Sequence, residues 1–280
     1  MADRPIDVWD VESFDPKLTA YLAHHADLMA AYYARSNQIF LDHDHGRART
    51  LIRPENEYAT EFSGLRERVG VLMDVRTIRA WHYTRLTDRE VEALTRAGVR
   101  LSTPDSLRRR FDAIIADGHL TAAETDLLWR HNMFHPQHDS RAGKFWGVSH
   151  PQRVDDLGVA PLMKHWGGEA ASMWMKDAAL LARLESVGQA RVVGVALPLA
   201  QCEDFGGAAR AVIATFARAR GAVAEPSGFD LYARTDLPAS AILEVRTEGE
   251  ESFAAMAEGY PAAFVDHGLT YWKDLTGEDD

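Results

Sequence analysis

The segment TIRAWHYT, residues 77–84, decides the fold. It is short and rich in β-branched and aromatic residues, the composition of a strand. A helix signal follows at once. Thr87 and Glu90 have capping-box spacing, Val91 and Leu94 face inward, and Gly98 supplies the stop. Toward the C-terminus the same mixture continues. Residues 99–102 read as a second short strand. Thr103 and Pro104 open a helix with Leu107, Phe111 and Ile114 on one face, ended by Gly118. Thr121 and Glu124 repeat the capping box ahead of Leu127, Leu128 and Trp129. Residues 131–143, HNMFHPQHDSRAG, form a polar loop, and KFWGVS, residues 144–149, reads as a buried strand. Residues 169–187 read as one long helix packed through Met173, Leu180, Leu181 and Leu184, with Gly188 at its end. Residues 191–197, 229–233 and 241–245 read as strands, while 207–219 fit either period.

Upstream of residue 76 the pattern is helical. Asp15 can cap, and Pro16 open, a helix over 15–35, with Leu18, Leu22, His25, Met29 and Tyr32 as its stripe. Residues 37–54 read as a loop holding Asp42, His43, Asp44 and His45. A second helix covers 56–69 through Tyr58, Phe62, Leu65 and Val69. The strands exclude a pure bundle, yet they do not alternate with helices regularly enough for a doubly wound sheet. The reading is α+β: a mostly antiparallel sheet with flanking helices and an N-terminal helical region. The helical region spans 1–75 and the α+β core 76–280.

Composition narrows the function classes. The 280 residues are 46% hydrophobic and 26% charged, an ordered globular balance. Lys and Arg number 31 against 42 Asp and Glu, a net charge of −11, which argues against a broad nucleic-acid-binding surface. The single cysteine, Cys202, excludes an intramolecular disulfide, CxxC chemistry and multi-cysteine zinc sites, and it fits a reducing cytoplasm. The N-terminal run MADRPIDVWDVESFD lacks the basic-then-apolar order of a signal peptide. The longest apolar stretch, 192–200, falls short of the roughly 20 residues that span a bilayer. These features lead us to expect a cytoplasmic protein with no membrane partner. There is no GxGxxG after a strand, no GxxxxGK[ST], no HExxH and no GxSxG. Cys202 stands beside Glu203 and Asp204, which disfavour its thiolate.

Four constellations remain. In Trp81-His82-Tyr83-Thr84, alternation sets His82 and Thr84 on one face and Trp81 and Tyr83 on the other. A histidine there can donate to a ribose hydroxyl and a tyrosine can offer a stacking surface. The same residues also suit a half-buried structural histidine beside core aromatics. In Trp166-Gly167-Gly168-Glu169, two glycines permit close backbone approach ahead of a helix start that favours an anion, and Glu169 can act as a base or bind a hydroxyl. A carboxylate in a first turn also simply suits the helix dipole. His131, His135 and His138 have spacings that could gather imidazoles, but Pro136 breaks a continuous helix through them, so no metal is assigned. In AILEVR, residues 241–246, Glu244 points opposite Leu243 and Val245, toward either a cleft or solvent.

The order of these parts resembles the ADP-ribosyltransferase-like fold over residues 76–248, and the WHYT and WGGE segments are also similar to those of bacterial proteins of unassigned activity. The positions that carry the resemblance are His82 with Tyr83 and Thr84, the KFWGVS strand with Phe145, Trp146 and Ser149, and Glu244, with Glu169 as rival for the acidic role. The resemblance implies NAD as a substrate in a cleft between two halves of the sheet. His82 would orient a ribose hydroxyl, and Tyr83 or Trp146 would stack on nicotinamide. Trp166, Gly167 and Gly168 would help hold the ligand. Glu169 or Glu244 would act catalytically, with ADP-ribose passing to an unknown acceptor or to water. The alternative is a noncatalytic acidic module that binds a basic partner through its surface and N-terminal helices.

Overall fold

The computed structural model describes residues 4–44 and 52–260; His45 and the acidic tail lie outside them. The chain opens with α1 (Pro16–His24), where Asp15 accepts from the N–H groups of Lys17 and Leu18 and Pro16 takes the first position. The single helix expected over 15–35 breaks at His25, whose Nδ1 lies 3.0 Å from the Tyr21 carbonyl and competes with the helical backbone bond to it. α2 (Ala26–Ile39) follows and runs into a π-helical turn, Phe40–Asp44, where a loop was expected. α3 (Ala59–Asp74) buries Leu65, Val69 and Met73.

β1 (Thr77–Leu86) leads into α4 (Asp88–Ala97), whose capping box between Thr87 and Glu90 is complete and whose end is Gly98 at φ 79°. α5 (Pro104–Ala116) is capped by Thr103 and buries Leu107, Phe111 and Ile114; α6 (Ala122–Arg130) carries the second Thr–Glu box. Residues 99–102 contribute isolated bridges from Val99 and Ser102 rather than a strand. A short α7 (His138–Arg141) precedes β2 (Phe145–Val148), and α8 (Ala160–Lys164) precedes α9 (Gly168–Ser172). The long helix expected over 169–187 is two helices. Asp177 adopts extended backbone and caps α10 (Ala178–Ser186) by accepting from Leu180 N–H, which leaves Met173 and Trp174 half exposed in the turn between them. β3 (Gln189–Pro198), β4 (Cys202–Glu203), α11 (Gly207–Ala219), β5 (Asp230–Ala233), β6 (Ile242–Thr247) and α12 (Glu251–Ala254) complete the order. Alanine-rich α11 resolves the ambiguity at 207–219 in favour of helix.

The described residues form two compact units. One comprises 4–44, 52–77, 205–229 and 259–260, with α2, α3 and α11 packed together. Residues 205–229, which the sequence reading assigned to the α+β core, belong here because α11 is buried along nearly all its length and packs on α3 and α2. The other unit comprises 78–204 and 230–258. It holds the six-stranded sheet, in the order β4-β5-β2-β1-β3-β6. The pairs β1–β2, β2–β5, β4–β5 and β3–β6 are antiparallel, so the fold is α+β. Beside the sheet, α5, α6, α9 and α10 share a core in which Phe111, Leu128, Leu184 and Trp166 are almost wholly buried. No helix among the described residues is long and apolar enough to cross a membrane.

Candidate functional site

The second unit contains a cleft of about 890 Å3, within the roughly 300–1,000 Å3 of small-molecule and cofactor sites. It begins where two strands part. β1 and β2 share one registered pair, Trp81 with Val148. Beyond it a side chain takes the place of the ladder: His82 Nδ1 lies 2.8 Å from the Trp146 carbonyl. A carbonyl only accepts, so Nδ1 carries the proton and Nε2 presents a lone pair. Burial holds the His82 pKa below its ordinary value; the Trp146 carbonyl opposes that shift and the Arg110 charge adds to it. The ring is therefore neutral at pH 7. It offers an acceptor at Nε2, the reverse of the donor role expected from the sequence.

The aromatic ring against His82 is Phe145, at 4.6 Å between centroids. Trp146, expected to stack on a ligand, is the next residue of the strand and turns to the other side, where it meets Tyr232 at 4.6 Å. Phe145 and Trp146 both border the cleft, and Trp146 Nε1 is buried without a hydrogen-bond partner among the described residues. Buried donors of that kind are rare and cost about 1–3 kcal/mol each.

Glu169 follows a glycine turn. Gly167 is left-handed at φ 81° and Gly168 stands at φ 56°. A Cβ at Gly167 would meet the Ala171 Cβ at 2.6 Å, so glycine is required there twice over. The turn carries Gly167, Gly168 and Glu169 into the same cleft as His82. Glu169 Oε2 pairs with Arg141 Nη1 at 2.5 Å, and Oε1 has no hydrogen-bond partner among the described residues. α9 has only five residues, too few to build much of a dipole, so its start is better described as a sharp glycine turn than as an anion site.

Several expected site residues stand elsewhere. Glu244 lies outside the cleft. It pairs in register with Gly194, while the adjacent Val193 is the β3 residue that borders the cleft. Neighbouring strand residues face opposite ways, so Glu244 is on the reverse side. There it binds Arg79 and, at 3.2 Å, Arg246. Trp166 is sealed in the core with 0% exposure, its Nε1 donating to Glu90 Oε2 at 2.8 Å and its ring beneath the Arg110 guanidinium at 4.8 Å. It positions the glycine turn and cannot touch a ligand. Ser149 is likewise fully buried and does not border the cleft. Tyr83 borders it, but its ring is buried and its hydroxyl is committed, donating to the Gln152 carbonyl at 2.8 Å and accepting from the Gln152 N–H at 2.6 Å. Burial pushes the Tyr83 phenol up to about 12. Thr84 is buried at the cleft wall beyond His82. Cys202 is buried enough to push its thiol up to about 12, with Asp204 adding to the shift.

His131, His135 and His138 do not converge: His135 Nε2 lies 2.9 Å from the Trp129 carbonyl and His138 Nδ1 lies 3.2 Å from Asp139. Among the described residues no group of three or more His, Cys, Asp and Glu is arranged to hold a metal ion.

The cleft reverses the sign of the chain. Against the net charge of −11, it is bordered by six cations, Arg89, Arg100, Arg109, Arg110, Arg141 and Lys144, and by four carboxylates, Glu90, Asp117, Glu169 and Asp230. Glu90 is the member that sequence reasoning saw only as a helix cap. Its carboxylate also takes Trp166 Nε1 and, at 2.7 Å, Arg110 Nε. Burial alone would raise the Glu90 pKa; the Arg110 charge and the donated hydrogen bonds outweigh it and hold the carboxyl below its usual range.

No protein-family model, curated protein or solved structure matches the chain. The sequence reading missed Arg110 and Arg141; it took Glu90 only as a cap and placed Phe145 on the KFWGVS strand without its contact to His82. The run Arg108-Arg109-Arg110 in an acidic chain was the one local signal of a basic wall. The others depend on contacts between distant segments.

Proposed function

We propose that the cleft of the second unit binds NAD as a substrate and cleaves its nicotinamide–ribose bond, passing ADP-ribose to an acceptor or to water. The observation that carries this reading is the convergence on one cleft of a neutral imidazole, a carboxylate with one unengaged oxygen, and a surplus of cations. His82 Nε2 accepts from a ribose hydroxyl. Phe145, against His82, gives a flat apolar wall for the nicotinamide. Glu169 Oε1 accepts from the 2′-hydroxyl of the nicotinamide ribose. Its negative charge stabilises the oxocarbenium-like centre that forms as the C–N electron pair leaves with nicotinamide. Arg141 orients that carboxylate from the other oxygen. A nucleophile then adds to the ribose carbon; when it is water, its proton is released.

The test is titration of the pure protein with NAD, followed by assay for free nicotinamide, with His82→Ala as control. Saturable binding and nicotinamide release that the substitution abolishes support the reading. A protein that neither binds NAD nor releases nicotinamide refutes it.

A second reading is a noncatalytic partner-binding module. Met173 and Trp174, 50% and 48% exposed, favour it as an apolar contact point on the second unit. The same titration separates the two, because a module leaves NAD intact.

A further inference from the structure

Residues of α4 and α5 line part of the cleft, among them Ala93, Ala97 and Ala113. None of the α4 residues is buried. Four arginines border the cleft nearby in the sequence, and they are not equivalent. Arg89 is neutralised by Asp117 at 2.6 Å and Arg100 by Asp236 at 2.8 Å. Arg109 is exposed and makes no ion pair or hydrogen bond among the described residues. Arg110 is fixed in place by Glu90 and by the Trp166 ring, through Nε and the guanidinium face. That leaves its Nη1 unengaged and its Nη2 buried without a partner. The α4–α5 side of the cleft thus combines an uncompensated guanidinium, a preorganised one with unused donors, and small apolar side chains.

We infer that Arg109 and Arg110 form a phosphate-binding pair and that the α4–α5 side of the cleft takes the nucleoside-diphosphate part of the ligand. Guanidinium groups match phosphate oxygens by paired N–H donors. The small alanine side chains suit a flat base, which needs contact area and no charge. The inference rests on this cleft being the ligand site, but not on the cleavage step.

ADP is the probe, with adenosine as its uncharged counterpart, measured by calorimetric titration at two ionic strengths. ADP should bind the full-length protein more tightly than adenosine, and its affinity should fall as salt rises. Arg109→Gln should weaken ADP about tenfold or more and leave adenosine unchanged. Arg109 is exposed, so this variant keeps the fold, which its unchanged melting midpoint checks. Arg110→Lys, which keeps the charge but loses the fork, should also weaken ADP. The inference is overturned if ADP binds no better than adenosine, or if Arg109→Gln leaves ADP affinity unchanged. Arg109-dependent ADP binding without nicotinamide release from NAD would leave this site standing and remove the cleavage reading. Nicotinamide release with a KM for NAD unaltered by Arg109→Gln would do the opposite.

Discussion

Replacing Glu90 by alanine should destabilise the protein by about 3–5 kcal/mol, whereas Glu124→Ala should cost about 1 kcal/mol, although both residues hold the same place in a Thr-x-x-Glu box. The carboxylate of Glu124 accepts from Thr121 N–H and Oγ1 at the surface and pairs with an Arg183 side chain that is 45% exposed. Caps of this kind are worth about 0.5–2 kcal/mol, and exposed ion pairs about 0–1 kcal/mol. Glu90 accepts from Thr87 N–H at 2.9 Å and, in addition, from Trp166 Nε1 and Arg110 Nε. Without it the indole N–H, in a residue with 0% exposure, is left unpaired at a cost of about 1–3 kcal/mol. Arg110 also loses its counter-charge. Breaking a fully buried pair costs about 3–5 kcal/mol. Arg110 retains 33% side-chain exposure, so water recovers part of that. The contributions overlap, and about 3–5 kcal/mol is their combined scale. Urea denaturation of the two variants, compared by midpoint at constant slope, measures the difference. The Glu90 contribution is complete above its ordinary value of 4.5 and is lost as pH falls through the lower folded value, so the gap between wild type and Glu90→Ala should close in acid. Equal costs for the two substitutions would refute the role assigned to Glu90.

Further outcomes follow from the backbone and from buried histidines. Gly98 stands at φ 79° with the Leu237 carbonyl oxygen against the site of any added Cβ, so Gly98→Ala should cost about 2–5 kcal/mol. Gly64, inside α3 with nothing within 4 Å, should gain about 0.5–1 kcal/mol as alanine; thermal midpoints compare the two. Burial pushes His150 down from 6.5 to about 4, against the opposing charge of Asp156. The folded value lies below the unfolded one, so stability is full above pH 6.5 and declines by about 3 kcal/mol as pH falls toward 4. His82, shifted the same way, adds to the slope. Stability measured against pH should flatten in His150→Asn, and an unchanged slope would show that the ring is not the source.

What could be read in the sequence was local. The Thr87–Glu90 and Thr121–Glu124 boxes, the Thr103 and Asp15 caps and the Gly98 stop all stand in the structure, because each signal spans a few residues of one turn. Met173 fitted an apolar stripe, but the Asp177 cap, an equally local signal, splits the helix and leaves Met173 in the turn. The site was legible only in fragments. Alternation along KFWGVS separates Phe145 from Trp146, but which of them meets His82 depends on where β1 and β2 part. The orientation of Glu244 depends on its register with Gly194, a pairing between distant strands that no short window contains. Trp166 next to two glycines looked like part of a ligand cradle; its burial against Phe111 is decided by helices that lie far away in the chain.

In the proposed cleavage of NAD, His82 and Glu169, and not Glu244, act on one ligand. The most direct measurement is the rate of nicotinamide release from NAD by Glu169→Gln and by Glu244→Gln, each compared with the unsubstituted protein at saturating NAD. Loss of about 10²–10³-fold for Glu169→Gln, with Glu244→Gln within about twofold once its stability is matched, is the expected result. Full release by Glu169→Gln, or loss confined to Glu244→Gln, would contradict it.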